Sequence, residues 1–155
     1  MAVSVLMAFI ATITFSVLFN VPRQELVFIG VAGALGWLAY LLIVDATGSP
    51  SIATFFASML VTFVIRILTY ARKMPIPVFL IGGLISLVPG AGIYNTMYAL
   101  ISEDLSGAAI LGLDTLRLFG VMCIGIMLVL SLPHKLFRFA GAFNITPKGK
   151  PGEHA

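Results

Sequence analysis

Two residues that carry full charge, Asp114 and Arg117, sit inside an apolar run that extends from residue 108 to residue 132. Spaced i, i+3 with the acid first, they share a helix face in the favourable order. Counted from residue 108 at ~1.5 Å per residue, Arg117 lies roughly 14 Å into a hydrocarbon core about 30 Å thick, close to the midplane. A lone charge at that depth costs on the order of 3 kcal/mol, so both side chains are expected to face the interior of a helix bundle and to touch. Two chemistries stay open. Asp114 carries a proton while Arg117 clamps an anionic substrate, or the two form a static neutral pair that holds helices together.

A second constellation surrounds "GGLISLVPGAGIYNTMYALI", residues 82–101. Pro89 lacks an amide hydrogen and clashes with the preceding turn, and Gly90 beside it does not stabilise a helix. Two half-helices, 77–87 and 91–100, are expected to meet near the midplane. Backbone groups freed at such a break cannot face lipid and must face protein or a watery cavity. The second half-helix then offers unpaired amides and a positive dipole end, which suit a carboxylate. Broken helices of this kind build substrate sites in secondary transporters.

Ser86, Tyr94, Asn95 and Tyr98 lie within two turns of the break and add donors and acceptors. The candidate substrate-binding set is therefore Ser86, Pro89, Gly90, Tyr94, Asn95, Tyr98 and Arg117, with Asp114 as the candidate proton-coupling group. A plain proline kink packed against its neighbours is the competing reading. The glycines are not a nucleotide loop, because neither G-x-x-x-x-G-K nor G-x-G-x-x-G in strand context occurs. No nucleophile–base set can be assembled inside the membrane, no metal-ligand cluster exists, and His134 and His154 both lie in the tail. No enzyme activity, cofactor, metal or nucleic-acid partner is expected.

The elements that must hold these residues follow from composition. The chain has 155 residues, 60% hydrophobic and only 10% charged, with a mean hydropathy of +1.11. A soluble domain would carry roughly a quarter charged residues. The expected fold is an all-α integral membrane protein whose lipid-embedded domain, 1–132, has five transmembrane helices at about 3–19, 26–44, 51–70, 74–101 and 108–132, the fourth discontinuous at Pro89-Gly90. That fourth stretch, 28 residues long, would measure roughly 42 Å as an unbroken helix, too long for the core unless it tilts, kinks or re-enters. The first stretch lacks the basic start and cleavage site of a signal peptide and is expected to be a retained span.

Five crossings place the 20–25 loop, the 71–73 loop and the tail 133–155 on one side. That side holds Arg23, Arg66, Arg72, Lys73, Lys135, Arg138, Lys148 and Lys150, eight of the nine basic residues. The other side carries Asp45, Glu103 and Asp104. The positive-inside rule then puts the N-terminus outside and the C-terminus in the cytoplasm. The tail is basic and aromatic enough to lie along an anionic leaflet, with a disordered end. Cys123 is expected to be an inert packing residue.

Two stripes repeat every four residues: Ser4, Ala8, Thr12 and Ser16, and Thr54, Ser58, Thr62 and Arg66. Small and hydroxyl residues at this spacing favour close helix contact, with cavity lining as the second reading. Arg66 is expected to snorkel to the cytoplasmic interface. Gly30, Gly33 and Gly36 read as a close-packing face.

"FNVPRQELVFIGVAGALGWLAYLL" (19–42) and "ARKMPIPVFLIGGLISLVPGAGIYNTMYAL" (71–100) together resemble the small subunit of the threonine/serine exporter family, the ThrE-like or YjjB-like membrane proteins. The likeness covers essentially the whole chain. Its specific part is a basic-x-Pro-x-x-x-Phe entry, a Pro-Gly break and a following Tyr, here from Arg72 to Tyr94. The family reads closer to "IPGIIPLVPG" where this chain has "IGGLISLVPG", so Gly82 and Ser86 replace prolines and the first half-helix should be less kinked. The resemblance implies a secondary exporter of small amino acids or dicarboxylates in a bacterial inner membrane. It also implies a larger ThrE-like subunit with a cytoplasmic N-terminal domain as partner, in a homo- or hetero-oligomer.

Overall fold

A computed structural model describes residues 1–72 and 75–133. Lys73 and the expected tail from residue 134 onward lie outside the described residues, which contain helices and no strand. In chain order the helices are α1 (Ala2–Leu18), α2 (Leu26–Thr47), α3 (Pro50–Arg72), α4 (Ile76–Leu84), α5 (Gly90–Ile101) and α6 (Leu105–Ser131). A short 3-10 turn, Arg23–Glu25, precedes α2, and another, Ile85–Leu87, extends α4.

Helix ends follow local chemistry. Gly48 closes α2 in the left-handed region (φ 65°) and donates its amide to Val44 O at 2.8 Å, an arrangement that glycine adopts without a Cβ penalty. Asp104 caps α6 by accepting the Gly107 amide at 2.9 Å. Outside the spans, that bond and the Ser106 hydroxyl hold the Asp104 carboxyl below its ordinary range.

Three stretches are each long and apolar enough to cross a membrane: Arg23–Thr47, Pro50–Arg72 and Leu105–Ser131. The bent pair Ile76–Leu87 and Gly90–Ile101 amounts to a fourth, and α1, with 17 residues, is shorter. A chain with three or four such stretches is a multi-pass membrane protein.

The core forms where α1, α2, α3 and α4 meet, around Ile29, Ala57, Val61, Ile65, Phe79 and Leu87. Close approach is made by glycine facing hydroxyl. An added Cβ on Gly33 would lie 2.3 Å from Thr12 Oγ1, and one on Gly82 2.3 Å from Ser16 Oγ. Thr12 and Ser16 are fully buried and return their hydroxyls to the carbonyls of Ala8 and Thr12, each at 2.7 Å. On α3, Ser58 stands against Gly125 of α6, and Thr62 bonds back to Ser58 O at 2.7 Å. Both stripes are packing surfaces along most of their length.

Arg66 corrects one expectation. It does not snorkel but is 1% exposed, and its Nη1 donates to the carbonyls of Val129, Leu130 (3.2 Å) and Leu132 (3.0 Å) at the end of α6. The last carbonyls of a helix lack intrahelical donors, and a guanidinium from α3 supplies them. Cys123 is exposed and so does not pack in the core.

Candidate functional site

The interruption in the fourth apolar stretch is present, and it begins before the proline. The last turn of α4 tightens at Ile85–Leu87, and Val88 is extended (φ −60°, ψ 127°). A residue preceding proline is pushed out of the helical region, which accounts for Val88. Helix restarts at Gly90, whose amide donates to Val88 O at 2.7 Å, and the two axes differ by 61°. No side chain caps the start of α5. Around Gly90 an added Cβ would meet nothing within 4 Å, so the break opens onto space.

The bend separates the predicted residues into two groups. Ser86 lies on the 3-10 turn beneath α2, with its hydroxyl 3.3 Å from Gly33 O. With Ser4, Met7, Ala11 and Trp37 it lines an open groove of ≈ 440 Å³ between α1 and α2. Trp37 Nε1 is buried there with no hydrogen-bond partner among the described residues. Sequence reasoning missed Trp37. Its signal was the single tryptophan of the chain, whose indole N–H normally finds a partner when buried.

Beyond the break, α5 leaves the core and packs chiefly on the first half of α6. The contact row is narrow. An added Cβ on Gly92 would lie 2.4 Å from Thr115 Oγ1, and one on Gly112 3.3 Å from Thr96 Cγ2. Thr96 and Thr115 spend their hydroxyls on Gly92 O and Leu111 O within their own helices, each at 2.7 Å. The two helices run antiparallel about this row.

At about 3.6 residues per turn, Ile93 and Met97 flank the α5 row on one side and Asn95 and Tyr98 on the other. On α6, Leu116 and Phe119 flank one side, while Asp114 and Arg117 lie toward the other. Ile93, Met97, Leu116 and Phe119 line one shared crevice of ≈ 190 Å³. Asn95, Tyr98 and Asp114 therefore lie toward the opposite flank, Asn95 nearest Asp114 in height and Tyr98 about one turn farther along α5, with Tyr94 and Arg117 farther out. Tyr94 and Tyr98 are 68% and 63% exposed, and their rings stack at 6.3 Å.

The charged pair differs from expectation. Asp114 and Arg117 are both exposed, and no ion pair joins them among the described residues. The inward row of α6 is instead Ala108, Thr115, Met122, Gly125 and Val129. Small and apolar side chains admit the close approach of α3 and α5, and this turns the charges outward. Pro89 is half-buried and Gly90 is exposed.

An ion pair does form at the far end of the bundle. Arg72 at the end of α3 binds Glu25, with Nη2 to Oε1 at 2.7 Å and Nε to Oε2 at 2.8 Å. The 20–25 segment and the end of α3 thus lie at one end of the bundle.

No curated relative and no solved structure matches the chain. The family model described as "Threonine/Serine exporter, ThrE" matches residues 4–132, from α1 through α6 and including the break. More than half of the 155 residues fall within that match, and the chain belongs to the threonine/serine exporter family, ThrE.

Proposed function

We propose that this protein is one subunit of a secondary-active exporter of threonine, serine or a related small carboxylate in a bacterial inner membrane. It crosses five times with its N-terminus outside and acts with a larger ThrE-like subunit whose N-terminal domain is cytoplasmic. The observation that carries the reading is the break at Val88 to Gly90 within a chain of this family, because an uncapped helix start inside a membrane presents amides to a carboxylate. The common end shared by Glu25 and Arg72 fits the five-crossing arrangement. In this reading Ser86, Tyr94, Asn95, Tyr98 and Arg117 bind the cargo around the break, and Asp114 couples its movement to protons.

The test is export by vesicles or cells carrying Asp114→Asn or Asn95→Ala. Both changes are expected to abolish efflux at unchanged membrane abundance. Normal efflux with both in place removes the site assignment.

A second reading is supported by the outward-facing positions of Asn95, Asp114 and Arg117: a scaffold subunit that stabilises the larger partner without binding cargo. It expects the same substitutions to lower the yield of the complex while leaving flux per complex unchanged. A cargo screen with threonine, serine and succinate separates amino-acid from dicarboxylate export.

A further inference from the structure

The glycine contacts that seat α1 on the bundle begin at Phe9: Gly30 meets Phe9 and Ile13, Gly33 meets Thr12, and Gly82 meets Ser16. The first turns of α1 stand off from α2 and leave a groove on each flank. One groove is lined by apolar side chains, Val5, Leu6, Phe9 and Leu38 among them, and matches a furrow filled by lipid tails. The other gathers the Ser4 and Ser86 hydroxyls and the Trp37 indole beside Met7, Ala8 and Ala11. With Thr12 opposite Gly33 on antiparallel helices, Ala8 comes opposite Trp37, one turn nearer the start of α1. This second groove therefore runs from Ser4, past Trp37, to Ser86 on the 3-10 turn, three residues before Pro89.

The polar groups of this groove are poorly served. Trp37 is half-buried, yet its Nε1 is shielded and has no partner among the described residues. An indole N–H donates and cannot accept, and a shielded donor left unpaired costs free energy. The Ser86 hydroxyl is 3.3 Å from Gly33 O, a long bond, and Ser4 has no carbonyl four residues back. What suits this set is an uncharged group that both accepts and donates.

We propose that the groove is the side-chain subsite of the exporter and takes the hydroxyl of a small hydroxylated amino acid. The hydroxyl oxygen accepts from Trp37 Nε1 and donates its proton to Ser86 Oγ, while the cargo's carbon atoms lie against Met7, Ala8 and Ala11. The χ2 torsion of tryptophan is broad, so the ring turns its N–H toward the groove that it already lines. A second carboxylate does not suit the groove, because no cationic side chain lines it and a carboxylate buried without one is costly. A hydrocarbon chain leaves the indole unpaired. The break beyond Ser86 remains for the cargo's own carboxylate. The inference rests on the exporter reading for its ligand, and between the two cargo classes of that reading it selects hydroxy amino acids over dicarboxylates.

Trp37 is the sole tryptophan of the chain, so its emission can be isolated in vesicles by subtracting that of vesicles carrying Trp37→Phe, whatever partner is present. L-threonine and L-serine are expected to shift the difference emission saturably, and L-alanine and succinate are not. In the same vesicles the ratio of threonine to alanine efflux should fall about tenfold in Trp37→Phe, which keeps a ring without the N–H, and in Ser86→Ala. Ser86→Thr, which retains the hydroxyl, should restore it. A residue that only packs lowers both effluxes together and leaves the ratio unchanged. No Trp37 response to threonine, an equal response to alanine or succinate, or an unchanged ratio in both variants overturns the inference, and threonine efflux by the wild type then leaves the exporter reading standing. A wild type that exports neither threonine nor serine defeats the exporter reading, and the emission shift alone then decides the groove.

Discussion

Arg72 and Glu25 are 47 residues apart in the chain and 2.7 Å apart in space, with each side chain only 8% exposed and the Phe28 ring 4.5 Å from the guanidinium carbon. The pair ties the start of α2 to the end of α3. Removing one partner of a buried ion pair costs more than the pair itself contributes, because a desolvated charge is left behind. Glu25→Ala is therefore expected to lower stability by about 3 kcal/mol, measured by reversible unfolding in detergent micelles. A loss below about 0.5 kcal/mol would mean that water reaches the pair.

The contact between α5 and α6 depends on the absence of a side chain at Gly92. A methyl group there would collide with Thr115 Oγ1 at 2.4 Å and Cγ2 at 3.1 Å. Overpacking of this kind costs roughly 1–3 kcal/mol. Gly92→Ala should lower the thermal midpoint, and adding Thr115→Ala should recover most of the loss, since only Cβ at 3.2 Å remains to be accommodated. No recovery in the double variant would place the steric conflict elsewhere.

If the uncapped helix start binds cargo, closing the break should remove transport without unfolding the protein. Pro89→Ala combined with Gly90→Ala restores an amide hydrogen and a helix-forming residue at the restart. Efflux is expected to fall at least tenfold while membrane abundance and thermal midpoint hold or rise. Undiminished efflux would show that a straight α4–α5 rod serves equally well.

The Asp104 cap should leave a pH signature. Its carboxyl is held below the ordinary range by the Gly107 amide and then by the Ser106 hydroxyl, so the folded state favours the ionised form. A depressed folded pKa contributes stability that is present above the unfolded value, about 3.9 for aspartate, and is lost as pH falls through the folded value. The wild type should melt above Asp104→Ala near neutral pH, and the gap should narrow as the medium is acidified below about pH 4. A gap that does not change with pH would assign the difference to helix propensity alone.

Much of this architecture was legible in the sequence for a local reason. The positions of the apolar stretches follow from the bilayer's thickness, and the break follows from a proline that has no amide hydrogen to give. Its start was less legible. The 3-10 turn at Ile85–Leu87 forms where Ser86 reaches Gly33 O, a contact between residues 53 apart. The hydroxyl stripes were readable as close-packing surfaces because their period matches the helix. Trp37's unpartnered indole became visible only once α1 and the 3-10 turn stood beside it.

The sequence by itself determined that this is a helical membrane protein with one interrupted apolar stretch, and that Asp114 and Arg117 occupy one side of α6. Only the tertiary structure decided which way that side turns. Thr115, Met122, Gly125 and Val129 are compact or apolar enough to let α3 and α5 approach, so they claim the interior and leave the charged side outward. Arg66 went the other way: buried, where the carbonyls ending α6 lacked donors. The helical period assigns residues to a common face, but which face is buried depends on neighbours distant in the chain.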